Sequence, residues 1–206
     1  MNTARVMPRI VLSFSASAPD RSNTDDMKTN QPDHRTQWLA LTAPGWEPDE
    51  TAQQPPVHVI VGGWQIDDDG RSGPFEPNLA YLPADESTPS DPLDALLRRA
   101  ADDASQSTDR QRLISDFLAT LRHSIVDIGC DAAGRPVIGT TDGVPCVLIA
   151  TAAVQRQGVD ADRWHPVVGE NLADVVPAGV DVLINPYSCA PCRLAVDALR
   201  PTAPRS

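Results

Sequence analysis

Two cysteines near the C-terminus have the spacing that most directly suggests chemistry. Cys189-Ala190-Pro191-Cys192 forms a CxxC motif between a predicted strand and a predicted last helix over residues 192–199. A thiol at a helix N-terminus has a lowered pKa because the helix dipole stabilises the thiolate. The motif therefore suggests a thiol–disulfide oxidoreductase in which Cys189 is the nucleophile and Cys192 resolves the mixed disulfide.

Two other interpretations of this motif remain open, and the first is favoured. Only 14 residues follow Cys192, too few for the strands that a thioredoxin-type fold places after its CxxC, so the cysteines could simply be small residues at a helix start. A zinc site would need Cys130 and Cys146 as further ligands, but these are not a close-spaced pair and each lies in or beside an apolar strand. The sequence therefore predicts no cofactor and no metal.

Other chemical signatures are absent from the sequence or have a plainer explanation. The four histidines lack a metal-binding spacing such as HExxH, and no GxSxG, GxxxxGK[ST] or GxGxxG motif occurs. Asp67, Asp68 and Asp69 precede Gly70, but a calcium loop needs acids at alternate positions with a distal Glu. An Asp-Gly pair after a β-branched run favours a hairpin turn instead. These residues and spacings alone therefore indicate an α+β domain and do not say what it does.

Composition and charge limit the classes of partner. The chain has 206 residues and carries a formal charge of −11. Because 41% of its residues are hydrophobic, it has enough apolar mass for a core, which rules out full disorder. An acidic chain disfavours binding to nucleic acid or to an anionic membrane surface. No apolar run reaches the roughly 20 residues of a membrane span, and four cysteines are too few for a disulfide scaffold. We expect a cytoplasmic protein without membrane insertion.

The elements that position these residues fall into four predicted segments. Residues 1–35 have no hydrophobic period and are predicted to be a disordered tail, unless translation begins at Met27. A proline-rich β-hairpin segment covers 36–91, an α+β domain covers 92–200, and 201–206 form a short tail. Twelve of the 20 prolines and a net charge of −8 fall within the first 92 residues.

Periodicity and capping signals predict the secondary structure of the ordered part. Residues 57–66 and 73–81 are predicted to be the two strands of the hairpin. A first helix begins at Asp91-Pro92, with Asp91 as N-cap, and a second begins with a capping box at Thr108. Strands in hairpins and further helices follow, so the predicted fold is α+β: a mixed, largely antiparallel sheet with packed helices.

A series of short motifs resembles one known family. In chain order, these motifs resemble those of actinobacterial type VII secretion system-associated proteins with a domain similar to SseB (enhanced serine sensitivity). The similarity extends from about Trp38 to Leu199. Its most specific motifs are a first block, Gly62-Gly63-Trp64 with Asp69-Gly70-Arg71, Gly73-Pro74-Phe75, Pro77-Asn78 and Tyr81, and a last block, Gly179-Val180-Asp181-Val182-Leu183-Ile184-Asn185-Pro186. Between them lie Ser90-Asp91-Pro92 and Gly143-Val144-Pro145-Cys146.

The resemblance implies an SseB-like domain from about Pro92 onwards and an accessory role near the secretion machinery. It offers no catalytic residues to transfer, and Cys189 and Cys192 depart from the small or glycine residues that family members tend to have after Asn-Pro. The leading hypothesis is a non-catalytic adaptor that contacts proteins of the type VII apparatus or its cargo. An antagonist bound to a secreted toxin is a weaker alternative.

The predicted interaction surface is the first hairpin. Its candidate residues are Trp64, Phe75, Pro77, Asn78 and Tyr81, because Trp and Tyr dominate the energetics of protein interfaces. The alternative is that the same rings cover the sheet as part of the core, and the sequence slightly favours that role.

Overall fold

The structure, a computed structural model, describes residues 9–14, 36–48, 53–102 and 107–199. Within these ranges the strands form two sheets, of four and six strands, and three α-helices accompany them. The predicted α+β class is therefore confirmed. The strands of the predicted β-hairpin segment belong to the first sheet, and the predicted mixed, largely antiparallel sheet is the second.

The first sheet contains the predicted hairpin. It is antiparallel throughout, in the order β1-β2-β3-β4, and its strands are β1 (Arg9–Phe14), β2 (Thr36–Thr42), β3 (Ile60–Ile66) and β4 (Ser72–Pro77). The turn between β3 and β4 has the predicted chemistry. Asp67 accepts a hydrogen bond from the backbone N–H of Arg71 at 2.7 Å, and Gly70 adopts φ 75°.

Strand β1 corrects part of the tail prediction. Residues 9–14 were expected to be disordered, but they pair with β2 in register, Arg9 opposite Leu41 and Phe14 opposite Thr36. The run Ile10-Val11-Leu12 is β-branched or apolar, and it gains a ladder of backbone hydrogen bonds only when β2 is beside it. The remainder of the predicted tail lies outside the described residues.

Helices α1 (Pro92–Asp102) and α2 (Ser107–Arg122) follow the hairpin. Asp91 is the N-cap of α1 as predicted, because its Oδ1 accepts hydrogen bonds from the backbone N–H groups of Leu93 and Asp94 at 2.8 and 3.0 Å. Pro92 at the first helical position loses no hydrogen bond there. These contacts fix where α1 begins and therefore where its first turn meets the rest of the fold.

The second sheet has the order β10-β9-β7-β5-β8, with β6 also paired to β7. Its neighbours are antiparallel except β7 and β9, which run parallel with Ile149 opposite Ile184. A short helix, α3 (Leu172–Val175), precedes β9. The strands are β5 (Ile125–Cys130), β6 (Ile138–Thr141), β7 (Val144–Ala150), β8 (Arg163–Val168), β9 (Asp181–Ile184) and β10 (Cys192–Leu194).

The predicted last helix over residues 192–199 is wrong. Cys192–Leu194 is strand β10, antiparallel to β9 with Cys192 opposite Ile184, and only Val196–Leu199 is helical, as a 3-10 turn. The exposed edge of β9 offers a row of backbone hydrogen bonds that an uncapped segment can join. The sheet therefore extends through the segment that was expected to be helical.

One continuous hydrophobic cluster joins both sheets to α1 and α2. It includes Val61 and Trp64 of the first sheet, Leu96 and Phe117 of the helices, and Ile149 of the second sheet. In the part of the chain that the structure describes, no helix is long and apolar enough to cross a membrane.

Candidate functional site

The three aromatic residues of the predicted interaction surface lie in the core. Trp64, Phe75 and Tyr81 are only 2%, 6% and 7% exposed. The Trp64 and Phe75 rings meet edge to face with centroids 5.1 Å apart, and the Tyr81 hydroxyl donates to the carbonyl of Pro89 at 2.8 Å. Burial raises the pKa of Tyr81 above its ordinary value. These rings therefore have the packing role that the sequence analysis weighed as the alternative.

Asp116 on α2 fastens the hairpin to the helix. Its carboxylate accepts a hydrogen bond from Trp64 Nε1 at 2.8 Å and one from the backbone N–H of Phe75 at 3.3 Å. Asp116 is itself buried, and Arg112 lies 3.8 Å from it. The sequence analysis missed this residue, although its position between Leu113 and Phe117 on the apolar face of α2 was a usable signal.

The two glycines before Trp64 are required by close approach. A Cβ atom on Gly62 would lie 2.3 Å from the Phe75 ring, and one on Gly63 would lie 2.9 Å from the carbonyl oxygen of Leu39. Neither distance is tolerated by real side chains, so the Gly-Gly-Trp and Gly-Pro-Phe motifs are the two halves of one packing arrangement. These motifs therefore report the fold of the hairpin.

Asn78 constructs the turn that follows β4. Its side-chain amide donates to the carbonyls of Val57 and Ile60, both at 2.7 Å, while its Oδ1 accepts from the backbone N–H of Ala80 at 3.0 Å. Its backbone carbonyl also accepts from the N–H of Tyr81 at 3.1 Å. The loop is thus tied by hydrogen bonds to the chain ahead of β3.

This turn holds apolar side chains in solvent. Leu79 is 97% exposed, Leu82 66% and Val57 62%. The backbone N–H of Leu82 donates to the carbonyl of His58, the residue after Val57, at 3.0 Å. Pro77 at the start of the turn is also exposed. We call Val57, Pro77, Leu79 and Leu82 the apolar corner.

A second surface feature lies where the parallel strands β7 and β9 end. Ligand sites in α/β sheets commonly lie beyond the carboxyl ends of parallel strands. Here Asn185 follows β9 with φ 49° and is completely buried, and its Oδ1 accepts from the backbone N–H of Thr151 at 2.9 Å. The Thr151 hydroxyl lies 2.7 Å from Asp91 Oδ2. This chain of contacts attaches the start of α1 to the ends of both strands.

The same network continues along one face of α1. Asp94 Oδ2 accepts from the backbone N–H of Ser90 at 2.9 Å and forms an ion pair with Arg98 at 2.9 Å, and Gln155 lies within 3.5 Å. Asp94 is completely buried, and its Oδ1 has no hydrogen-bond partner. Burial raises the pKa of Asp91, against the hydrogen bonds from Thr151 and Ser90 that lower it.

A cleft of about 1020 Å³ opens above this network. One side of the cleft is formed by the loop before α1 and the C-terminal half of α1. The other side is formed by the loops that follow β7 and β9. Its walls include Glu86, Arg98, Asp102, Gln155 and Tyr187. The volume is at the upper end of the range for small-molecule sites, so the cleft has room for several residues of a bound chain.

The CxxC motif does not have the setting that its redox interpretation needs. Cys189 is exposed in the loop after β9 and also lines the cleft, while Cys192 is half-buried in β10. No helix begins at either thiol, so the dipole that was expected to lower a thiol pKa is missing, and burial raises the pKa of Cys192. The structure therefore removes the helix-dipole argument for a low-pKa thiol, and the redox role itself stays a prediction.

The zinc alternative also lacks support from the geometry. Cys130 and Cys146 are buried in β5 and β7, and burial raises the pKa of both thiols. Across residues 9–14, 36–48, 53–102 and 107–199, no three His, Cys, Asp or Glu side chains are grouped so that they could hold a metal ion.

The chain was also compared with known proteins. None of the family models, curated proteins or solved structures matches it. The proposal of a function therefore depends on the residues of this chain and on the motifs described above.

Proposed function

We propose that this protein is a non-catalytic adaptor associated with type VII secretion, and that it contacts a protein of the apparatus or its cargo through the apolar corner. The observation that carries the proposal is Leu79, which is 97% exposed on a turn that Asn78 ties down with several hydrogen bonds. Large apolar side chains grouped on a surface are typical of sites where another protein binds.

The rigidity of the turn supports a binding role. A loop that is already held in one conformation loses little conformational entropy when a partner docks. The Asn78 side chain bonds to two carbonyls of the preceding segment and to one N–H of its own turn, so Leu79 is presented at a defined position. The apolar corner keeps Pro77 from the predicted set and replaces the buried rings with aliphatic side chains, while Asn78 holds the turn in place.

Affinity capture from the native host tests the proposal. The wild-type protein is expected to retrieve a type VII apparatus protein or a secreted substrate, identified by mass spectrometry. Leu79→Asp with Leu82→Ser is expected to reduce that recovery at least roughly tenfold, the equivalent of about 1.4 kcal/mol. Ile138→Asp is the matched control, because Ile138 is a 46% exposed aliphatic residue on the second sheet.

Two outcomes would contradict the proposal. One is that the wild-type protein retrieves no secretion component. The other is that the Leu79 and Leu82 substitutions leave the recovered amount unchanged, or that Ile138→Asp reduces it equally. A secreted toxin as the main captured protein would favour the antagonist alternative over an apparatus adaptor.

A further inference from the structure

The cleft above the α1 network has an excess of negative charge. Among the residues that the structure describes, Arg98 is the one arginine in the lining, and it is already paired: Nε and Nη2 contact Asp94 Oδ2 at 3.0 and 2.9 Å, and Nη1 donates to the carbonyl of Ser87 at 2.8 Å. Glu86 and Asp102 also line the cleft and form no ion pair with any residue that the structure describes. Glu86 and Asp102 therefore give the cleft two carboxylates that pair with no cation in the described part of the chain.

An aromatic ring lines the other side of the cleft, on the loop after β9. Tyr187 lines the cleft and is 68% exposed. Its ring packs over Gly158, where an added Cβ would lie 3.1 Å from the ring, and Gly158 has φ 81°. The positive φ favours glycine at position 158, an added Cβ there would crowd the ring, and the rest of the ring remains open to solvent.

We propose that this cleft binds an extended, arginine-bearing segment of a partner protein. Guanidinium groups pair with carboxylates through several hydrogen bonds and also stack on aromatic faces, so Glu86, Asp102 and Tyr187 together suit arginine better than lysine. The cleft volume exceeds what a single side chain fills and accommodates a short stretch of chain. This site is separate from the apolar corner and does not depend on the proposed function there.

Fluorescence anisotropy with a labelled Arg-Gly-Arg-Gly-Arg-Gly peptide tests this site, with the matching lysine peptide as a second probe. Because a chain of net charge −11 attracts any cation, the variants must be matched in charge. Glu86→Gln with Asp102→Asn is expected to weaken binding roughly tenfold. Glu170→Gln with Asp174→Asn removes the same charge from exposed positions on the 3-10 turn before α3 and on α3 itself, and is expected to change binding less than about twofold.

Tyr187→Ala is expected to weaken binding of the arginine peptide about fivefold and that of the lysine peptide less. Absence of binding by the wild-type protein, an equal loss in the two charge-matched pairs, or equal binding of the two peptides would overturn the proposal. Leu79→Ser, which leaves the charge unchanged, should not alter peptide binding, so this test and the capture experiment can fail independently.

Discussion

At the scale of single residues, burial decides which side chains remain available to a partner. Trp64 and Phe75, two of the rings predicted for the interface, pack against each other. Asp116 accepts a hydrogen bond from the Trp64 indole and one from the Phe75 backbone N–H. Leu79 carries no motif signal and yet is the side chain that the fold leaves in solvent. Residue type alone does not distinguish these cases, because the outcome depends on contacts between segments about 40 to 50 residues apart.

The buried carboxylate of Asp116 should be costly to remove. Asp116→Ala leaves the Trp64 indole N–H and the Phe75 backbone N–H without an acceptor, which is expected to lower the free energy of unfolding by about 2–4 kcal/mol. Urea denaturation measures the change. Asp160→Ala, at an exposed position, is the control and should shift the value by less than about 0.5 kcal/mol; equal losses would refute the role of Asp116.

Asp91 should make stability depend on pH in a defined direction. Its pKa is raised above 3.8 in the folded protein, mainly by burial. At a pH between the pKa of Asp91 in the unfolded state and its higher pKa in the folded state, the folded protein binds more protons than the unfolded chain. The contribution of Asp91 to the unfolding free energy therefore falls as pH rises. The difference between wild type and Asp91→Asn, measured by urea denaturation from about pH 3.5 to 7, should therefore decrease with pH. A constant difference would contradict this assignment.

The four thiols should react in the order of their exposure. At pH 7.5 iodoacetamide is expected to modify Cys189 first and Cys192 more slowly, because Cys192 is half-buried and burial raises its pKa. The buried Cys130 and Cys146 should react only after denaturation. Mass spectrometry of timed samples, with Cys189→Ser as control, measures the order. A thiol that reacts rapidly at pH 5 would restore the redox hypothesis.

At the scale of elements, the turn over residues 77–82 contains one residue that stabilises it, Asn78, and one that it exposes to solvent, Leu79. Asn78→Ala removes several hydrogen bonds and is expected to lower the unfolding free energy by about 1–3 kcal/mol. Leu79→Ala, one position later, is expected to change it by less than about 0.5 kcal/mol because that side chain buries almost nothing. Urea denaturation of the two variants compares them. A larger loss for Leu79→Ala would mean that the turn has another conformation in solution.

Elements whose start or turn depends on neighbouring residues in the sequence could be predicted. Strands that form only by pairing with a strand distant in the sequence could not. The hairpin turn at Gly70 and the start of α1 at Asp91 follow from local chemistry, and both are confirmed. Strand β1 and strand β10 form only against β2 and β9. Their sequences are too short to show a strand period, and the location of the partner is not a local property.

At the scale of the whole molecule, the two proposed binding surfaces differ in chemistry: the apolar corner binds through apolar contact and the cleft through charge. The apolar corner belongs to the first sheet and the loop before α1, whereas the cleft also uses the loops after β7 and β9. The cleft escaped sequence reasoning because Glu86, Asp102 and Tyr187 share no spacing and meet only through the fold. The buried amide of Asn185 fixes the position of one of those loops.

Site-specific photo-crosslinking in the native host tests the adaptor proposal most directly. A photoreactive amino acid replaces Leu79 in one variant and Ile138 in another. Both are exposed aliphatic positions, the first in the turn after β4 and the second in β6. The proposal predicts that position 79 forms an adduct with a type VII apparatus protein or substrate and that position 138 does not. An absence of such an adduct at position 79, or the same adducts from both positions, would contradict it.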